Sequence, residues 1–229
     1  MLFWAACGLC LLLHLPTSTR AVSLPKTGPP ACTMKMPSIM YGTAWKKERT
    51  AELVAQAVRA GFRGIDTACQ PKHYNESLVG LGWTIAAEEL GLPRKAFFLQ
   101  TKYTPIGGQD PANVPYDPAA PLPEQVRQSV AASLRNLKTP YLDSLVLHSP
   151  LGTPAENLQV WRAMEGAVDA GHVRDGGLGI SNCYELGVLE ALLREARIPP
   201  RVVQNRFYAE TGFDAEIRAF CRDRGVAYQ

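Results

Sequence analysis

"FRGIDTACQPKHYNESLVGLGWTIAAEELGLPRKAFFLQTKY", residues 62–103, contains a complete strand–helix–strand unit. The run FRGIDTA is short, apolar and ends close to an acid, Asp66. NESLVGLGWTIAAEELG has helical spacing and stops at Gly91, and KAFFLQTKY is again strand-like, with Lys102 near its end. Two such runs joined by a helix read as parallel neighbours, because parallel strands need a long crossover while antiparallel ones need only a tight turn.

The alternation continues in both directions. Upstream, SIMYGTAW (38–45) reads as a strand. ERTAELVAQAVRAG (48–61) reads as an amphipathic helix with Leu53, Val54, Ala57 and Val58 on one face and Gly61 as its stop. Downstream, TPIGGQDPANVPYDPAAPLP (104–123) is rich in Pro, Gly, Asn and Asp and predicts a long loop, a type that is usually functional. Helices then follow at 123–138, 154–171, 185–197 and 214–225. Strands follow at 142–149, 175–182 and 201–208, and a seventh begins in VAYQ (226–229).

Strict alternation of this kind builds either an open doubly wound sheet or a (β/α)8 barrel. No Gly-rich phosphate fingerprint follows the first strand, which counts against the open sheet. Residues capable of chemistry sit at the C-terminal ends of several strands, as barrel enzymes require. The expected fold is therefore an α/β (β/α)8 TIM barrel. It is expected to be incomplete: such barrels run to about 250 residues and eight strands, and seven strands are found. Without an eighth, strands one and seven would present open edges.

Composition narrows the class. Of 229 residues 46% are hydrophobic and 20% charged, enough apolar material for a sizeable core. The formal charge is +3 and no Lys/Arg block occurs, so a nucleic-acid partner is not expected. The first residues, MLFWAACGLCLLLHL, form an apolar run that is short for a membrane span. PTSTRAVS follows, where Thr19 and Ala21 could precede a cleavage point. Residues 1–30 are read as a signal-like leader and linker, and 31–229 as one barrel domain. A signal peptide would send the chain to the secretory pathway or an organelle and leave no stable span after its removal. A short anchor or a different start is the alternative, with a cytoplasmic location. Cys7-x-x-Cys10 lacks a second ligand pair, so zinc is not expected, and the scattered Cys32, Cys69, Cys183 and Cys221 read as reduced thiols.

In a barrel, Asp66, Lys102 and His148 project from the tips of strands two, three and four into one mouth, and Tyr74 lies in the loop leaving strand two. A phenol is a weak acid with a pKa of about 10, and an ammonium beside it would stabilise the phenolate and ease proton donation. Asp66 would hold Lys102 charged and in place, and His148 would aim a carbonyl oxygen at the phenol. Taken singly, each has a plainer reading: a helix cap, a solvated cation, a packed ring, a structural histidine.

GFRGIDTA, HYNESLVG, LQTKY, LVLHSP, GISN, QNRFY and GVAYQ occur in an order that resembles the aldo-keto reductases, NADP-dependent (β/α)8-barrel oxidoreductases, over residues 36–229. The resemblance implies reduction of aldehyde or ketone carbonyls by hydride transfer. It implies a catalytic tetrad of Asp66, Tyr74, Lys102 and His148, with Tyr74 as proton donor. It also implies that Ser181, Asn182 and Gln204 bind a nicotinamide carboxamide, that Tyr228 stacks on the ring, and that Gly42 and Thr43 contact the cofactor. Among NADP and NAD only the resemblance points to NADP. Trp45 is a candidate apolar wall for the substrate. CQPKH lengthens the gap between Asp66 and Tyr74, leaving Lys72 and His73 as local alternatives to the tyrosine. A shortened, catalytically silent relative is the competing expectation.

Overall fold

The apolar runs are short because each strand needs only a few residues to cross the layer between helices; the three central strands are buried throughout, the first and last only in part. A computed structural model describes residues 36–229 of the chain; the signal-like leader and Cys7, Cys10 and Cys32 lie outside the described residues. The strands are β1 (Met40–Gly42), β2 (Gly64–Asp66), β3 (Phe98–Tyr103), β4 (Ser144–Leu147), β5 (Leu178–Ser181), β6 (Val202–Gln204) and β7 (Ala227–Tyr228). The helices between them are α1 (Thr50–Arg59), α2 (Glu76–Glu89), α3 (Leu122–Asn136), α4 (Pro154–Asp169), α5 (Leu186–Glu195) and α6 (Ala215–Arg224).

All neighbouring strands pair in parallel, in the order β1-β2-β3-β4-β5-β6-β7. The sheet curls as a barrel does. Gln229, just past β7, reaches across to Gln100 on β3 (2.9 Å) and to the Sδ of Met36 (2.7 Å), on the β1 side. Among the described residues, β1 and β7 are the two edges.

Helix placement follows from the sequence pattern. α1 buries Val54 and Val58 completely, each contributing about 1.5–3 kcal/mol of transfer free energy. Its partner α2 carries Gly80 and Gly82 because its backbone runs close to its neighbours. A Cβ at Gly80 would collide with the carbonyl oxygen of Asn136 on α3, and one at Gly82 with that of Ala51 on α1. Asn75 starts α2 by accepting a hydrogen bond from the Leu78 N–H (3.1 Å).

The period of two along β3 divides its polar residues between the layers. Thr101 and Tyr103 face the helices, donating to Glu76 Oε1 (2.6 Å) and Gln125 Oε1 (3.1 Å). Gln100 and Lys102 face the barrel interior, where both reach Asp66. Cys69, Cys183 and Cys221 are buried free thiols. Among the described residues no helix is long and apolar enough to cross a membrane.

Candidate active site

Asp66 ends β2, and its backbone is anchored by Thr43, whose N–H (3.0 Å) and Oγ1 (2.9 Å) both donate to the Asp66 carbonyl. Its carboxylate accepts two hydrogen bonds from Lys102 Nζ (2.7 and 2.8 Å) and one from Gln100 Nε2 (2.8 Å). Lys102 is 2% exposed, and its ammonium also donates to the Thr67 carbonyl at 2.8 Å. A buried ammonium needs such pairing, since an unpaired one would bear a desolvation penalty of several kcal/mol.

The ammonium lies 5.5 Å from the centre of the Tyr74 ring, which meets the His148 ring edge-on at 6.0 Å. The four groups therefore gather at one place although they come from three strand ends and a loop. Tyr74 itself is set by a turn in which its N–H donates to the Gln70 carbonyl (3.1 Å). Of the two local alternatives to Tyr74, Lys72 is exposed and His73 is half-buried against Trp45.

One electrostatic expectation is corrected. The Tyr74 phenol is pushed up to about 12, first by burial and then by the Asp66 charge, rather than down by Lys102. The cause is the pairing itself: Tyr74 meets an ammonium already joined to a carboxylate, so little net positive field remains and desolvation wins. His148 is pushed down to about 3 by burial, then by Lys102, with Asp66 opposing and His73 adding to the fall. Its imidazole is neutral at ordinary pH. Its Nδ1 lies 2.7 Å from Thr104 Oγ1.

The remaining candidates occupy neighbouring strand ends. Ser181 pairs with Gln204 and Val203 with Tyr228, so these residues form one rim. Ser181 Oγ and Asn182 Nδ2 both donate to the His148 carbonyl (2.7 and 2.8 Å). Gln204 Nε2 donates to Gln229 Oε1 (3.2 Å), and the Tyr228 hydroxyl to Asp214 Oδ2 (3.0 Å). The Ser181 and Tyr228 hydroxyl donors are committed within the chain, while the amide and hydroxyl oxygens keep accepting capacity. A flat ring beside neutral acceptors suits an aromatic carboxamide such as nicotinamide. Around Gly42 a Cβ would meet no atom within 4 Å, so that edge is open. Trp45 is 65% exposed, with its ring 3.9 Å from the His73 ring and its backbone N–H donating to the His73 carbonyl (2.7 Å).

Three residues escaped the sequence reading. Gln100 and Thr104 flank Lys102 at a spacing of two, and a glutamine inside FFLQTKY was the available signal. Glu76 is buried and accepts hydrogen bonds from Thr101 and Ser133, tying α2 to β3 and α3; burial raises its pKa. A cavity of about 290 Å³ borders Tyr74, Gln70 and Asn113, and one of about 800 Å³ lies at the opposite end of the strands beside Phe98 and Asp143. The smaller one meets the four gathered groups only at Tyr74 and otherwise runs along Asn75, Glu76 and Ser77 at the start of α2 and Asn136 at the end of α3. Among the described residues no cluster of three or more His, Cys, Asp or Glu could hold a metal ion.

Parallel strands with polar side chains gathered at their C-terminal ends define a (β/α)-barrel architecture of the enzyme type. The chain belongs to the aldo/keto reductase family, whose model matches residues 36–228. It is 31% identical over 202 residues to an NAD/NADP-dependent indole-3-acetaldehyde reductase of Schizosaccharomyces pombe, covering 83% of this chain and 62% of that protein. It is 30% identical over 175 residues to a glyoxal reductase of Bacillus subtilis, covering 76% and 54%. A crystal structure of an aldo/keto reductase from Brucella melitensis matches with a TM-score of 0.67 at 27% identity, covering 84% of this chain and 66% of that one. The chain thus spans 54–62% of the length of these two curated relatives. Both of these curated relatives are named as reductases, the first of them NAD/NADP-dependent.

Proposed function

We propose that this protein reduces aldehyde or ketone carbonyls to alcohols with NADPH, NADH being the alternative reductant, and that Tyr74 donates the proton. The observation that carries this reading is the meeting of the Asp66–Lys102 pair with the Tyr74 and His148 rings at one mouth. Bound nicotinamide would supply a hydride to the carbonyl carbon. Ser181, Asn182 and Gln204 would hold its carboxamide, and the Tyr228 ring, pinned through Asp214, would lie against its face.

Tyr74 stays a phenol at every ordinary pH and so holds a proton ready for the oxygen that becomes negative. Neutral His148 orients that oxygen. Lys102, fixed by Asp66, places a positive charge behind the phenol that gains influence as the proton leaves. Trp45 and His73 form the aromatic wall against which a substrate would pack.

The Tyr74→Phe variant tests the proposal. Aldehyde-dependent NADPH oxidation is expected to fall by at least about 10²-fold, the scale of general acid catalysis. Quenching of intrinsic fluorescence by NADPH should persist. Unchanged turnover in a folded variant overturns the assignment of the proton donor.

A further inference from the structure

Thr104 stands one residue past β3, where the two-residue period returns its side chain to the interior face that carries Gln100 and Lys102. It is 2% exposed, and its bond to His148 Nδ1 is the one hydrogen bond made by its hydroxyl among the described residues. Its backbone is held from the other side. The Tyr116 hydroxyl (2.8 Å) and Gln109 Nε2 (3.2 Å), both from the long loop after β3, donate to the Thr104 carbonyl.

We infer that Thr104 is a positioning residue: it donates its hydroxyl proton to His148 Nδ1 and so holds the imidazole as the Nε2–H tautomer, the form that can donate toward a carbonyl oxygen. The inference rests on the role given to His148 in the proposed function. A neutral imidazole has one N–H and one acceptor nitrogen, and the bond made by one nitrogen decides the state of the other. Were Nδ1 to carry the proton, the Thr104 hydroxyl would accept it, and its own proton would be buried without an acceptor. That arrangement bears the desolvation penalty of an unsatisfied donor. With the hydroxyl as donor, both partners are satisfied and Nε2–H is free to act on a ligand. The long loop thereby acts on the reaction at second hand, since Tyr116 and Gln109 fix the Thr104 backbone from which the hydroxyl is aimed.

The test is long-range proton–nitrogen NMR on the full chain labelled with 15N-histidine, at neutral pH, with His148→Gln to assign its signals. Wild type should show His148 with a protonated Nε2 and an unprotonated Nδ1. Thr104→Val, of nearly the same shape, should populate the other tautomer and lower kcat about tenfold, the loss of one hydrogen bond of ordinary net strength, with KM little changed. Thr104→Ser, which keeps the hydroxyl, should retain both the wild-type spectrum and turnover. A wild-type spectrum with Nδ1 protonated, or a Thr104→Val spectrum identical to wild type, overturns the inference. The spectrum is independent of turnover: an Nε2–H signal that depends on Thr104 in a chain without reductase activity upholds the hydrogen bond and removes only the functional reading.

Discussion

An ion pair stands near each end of β3, and the two ends use them differently. At the N-terminal end Arg94 donates to the carbonyls of Phe97 and Tyr141, to Thr139 Oγ1 and to Asp143 Oδ2, all within 2.9 Å. Asp143 also accepts the Leu99 N–H, and the Tyr141 ring lies between Arg94 and Arg174, at 4.1 and 4.3 Å. At the C-terminal end Lys102 joins Asp66, and around them stand a phenol and an imidazole. Below, the charges end largely on backbone and close loops. Above, they end on side chains, where burial pushes Tyr74 up to about 12 and His148 down to about 3, with the Asp66 charge adding to the first shift and Lys102 to the second.

The sharpest way to break this contrast is to remove one carboxylate at each end. Asp66→Asn leaves the Lys102 ammonium, 2% exposed, without its counter-charge. The expected loss is about 3–5 kcal/mol of stability, together with at least about 10²-fold of turnover. Asp143→Asn should cost about 1–3 kcal/mol, since Arg94 keeps its other acceptors, and should leave kcat unchanged. Urea unfolding and an aldehyde reduction assay on both variants decide the matter. A folded Asp143→Asn protein as impaired in turnover as Asp66→Asn would erase the distinction between the two ends.

A smaller effect is expected from pH. The folded-state pKa of His148 is depressed to about 3 from its ordinary 6.5, so between those values the unfolded chain binds more protons than the folded one. Stability therefore rises with pH through that window and is lost as pH falls from 6.5 toward 3. Thermal unfolding followed from pH 7 to pH 4 should show this decline, and His148→Gln should flatten it. An equally steep decline in the variant would assign the acid sensitivity to other groups.

The smallest effect belongs to the mouth. Trp45 is 65% exposed, so Trp45→Ala should change stability by no more than about 0.5 kcal/mol while raising KM for an aromatic aldehyde several-fold. An unchanged KM for both aromatic and small aldehydes would remove Trp45 from the substrate wall.

Much of the fold could be read in advance because its determinants are local. The apolar run FFLQTKY, the helical spacing of NESLVGLGWTIAAEELG and the stop glycines Gly61 and Gly225, both at positive φ, identify their elements unaided. The candidate site was legible only as a set of residue types at strand ends. Gln100 and Thr104 escaped notice because nothing near them in the chain says that Asp66 lies 2.8 Å from the one and His148 2.7 Å from the other. Tyr74 was misjudged electrostatically because a lysine's effect on a phenol depends on what else the lysine touches.

By itself the sequence determined the alternation of seven strands and six helices, the parallel order, and which side chains arrive at strand tips, since periodicity and punctuation act over a few residues. Only the tertiary structure decided how those tips meet: the closure of Lys102 on Asp66, the Thr104–His148 bond and the direction of each shift in pKa. Burial and electrostatic coupling are properties of neighbours in space, and groups that set them, such as Asp66 and His148, lie far apart along the chain.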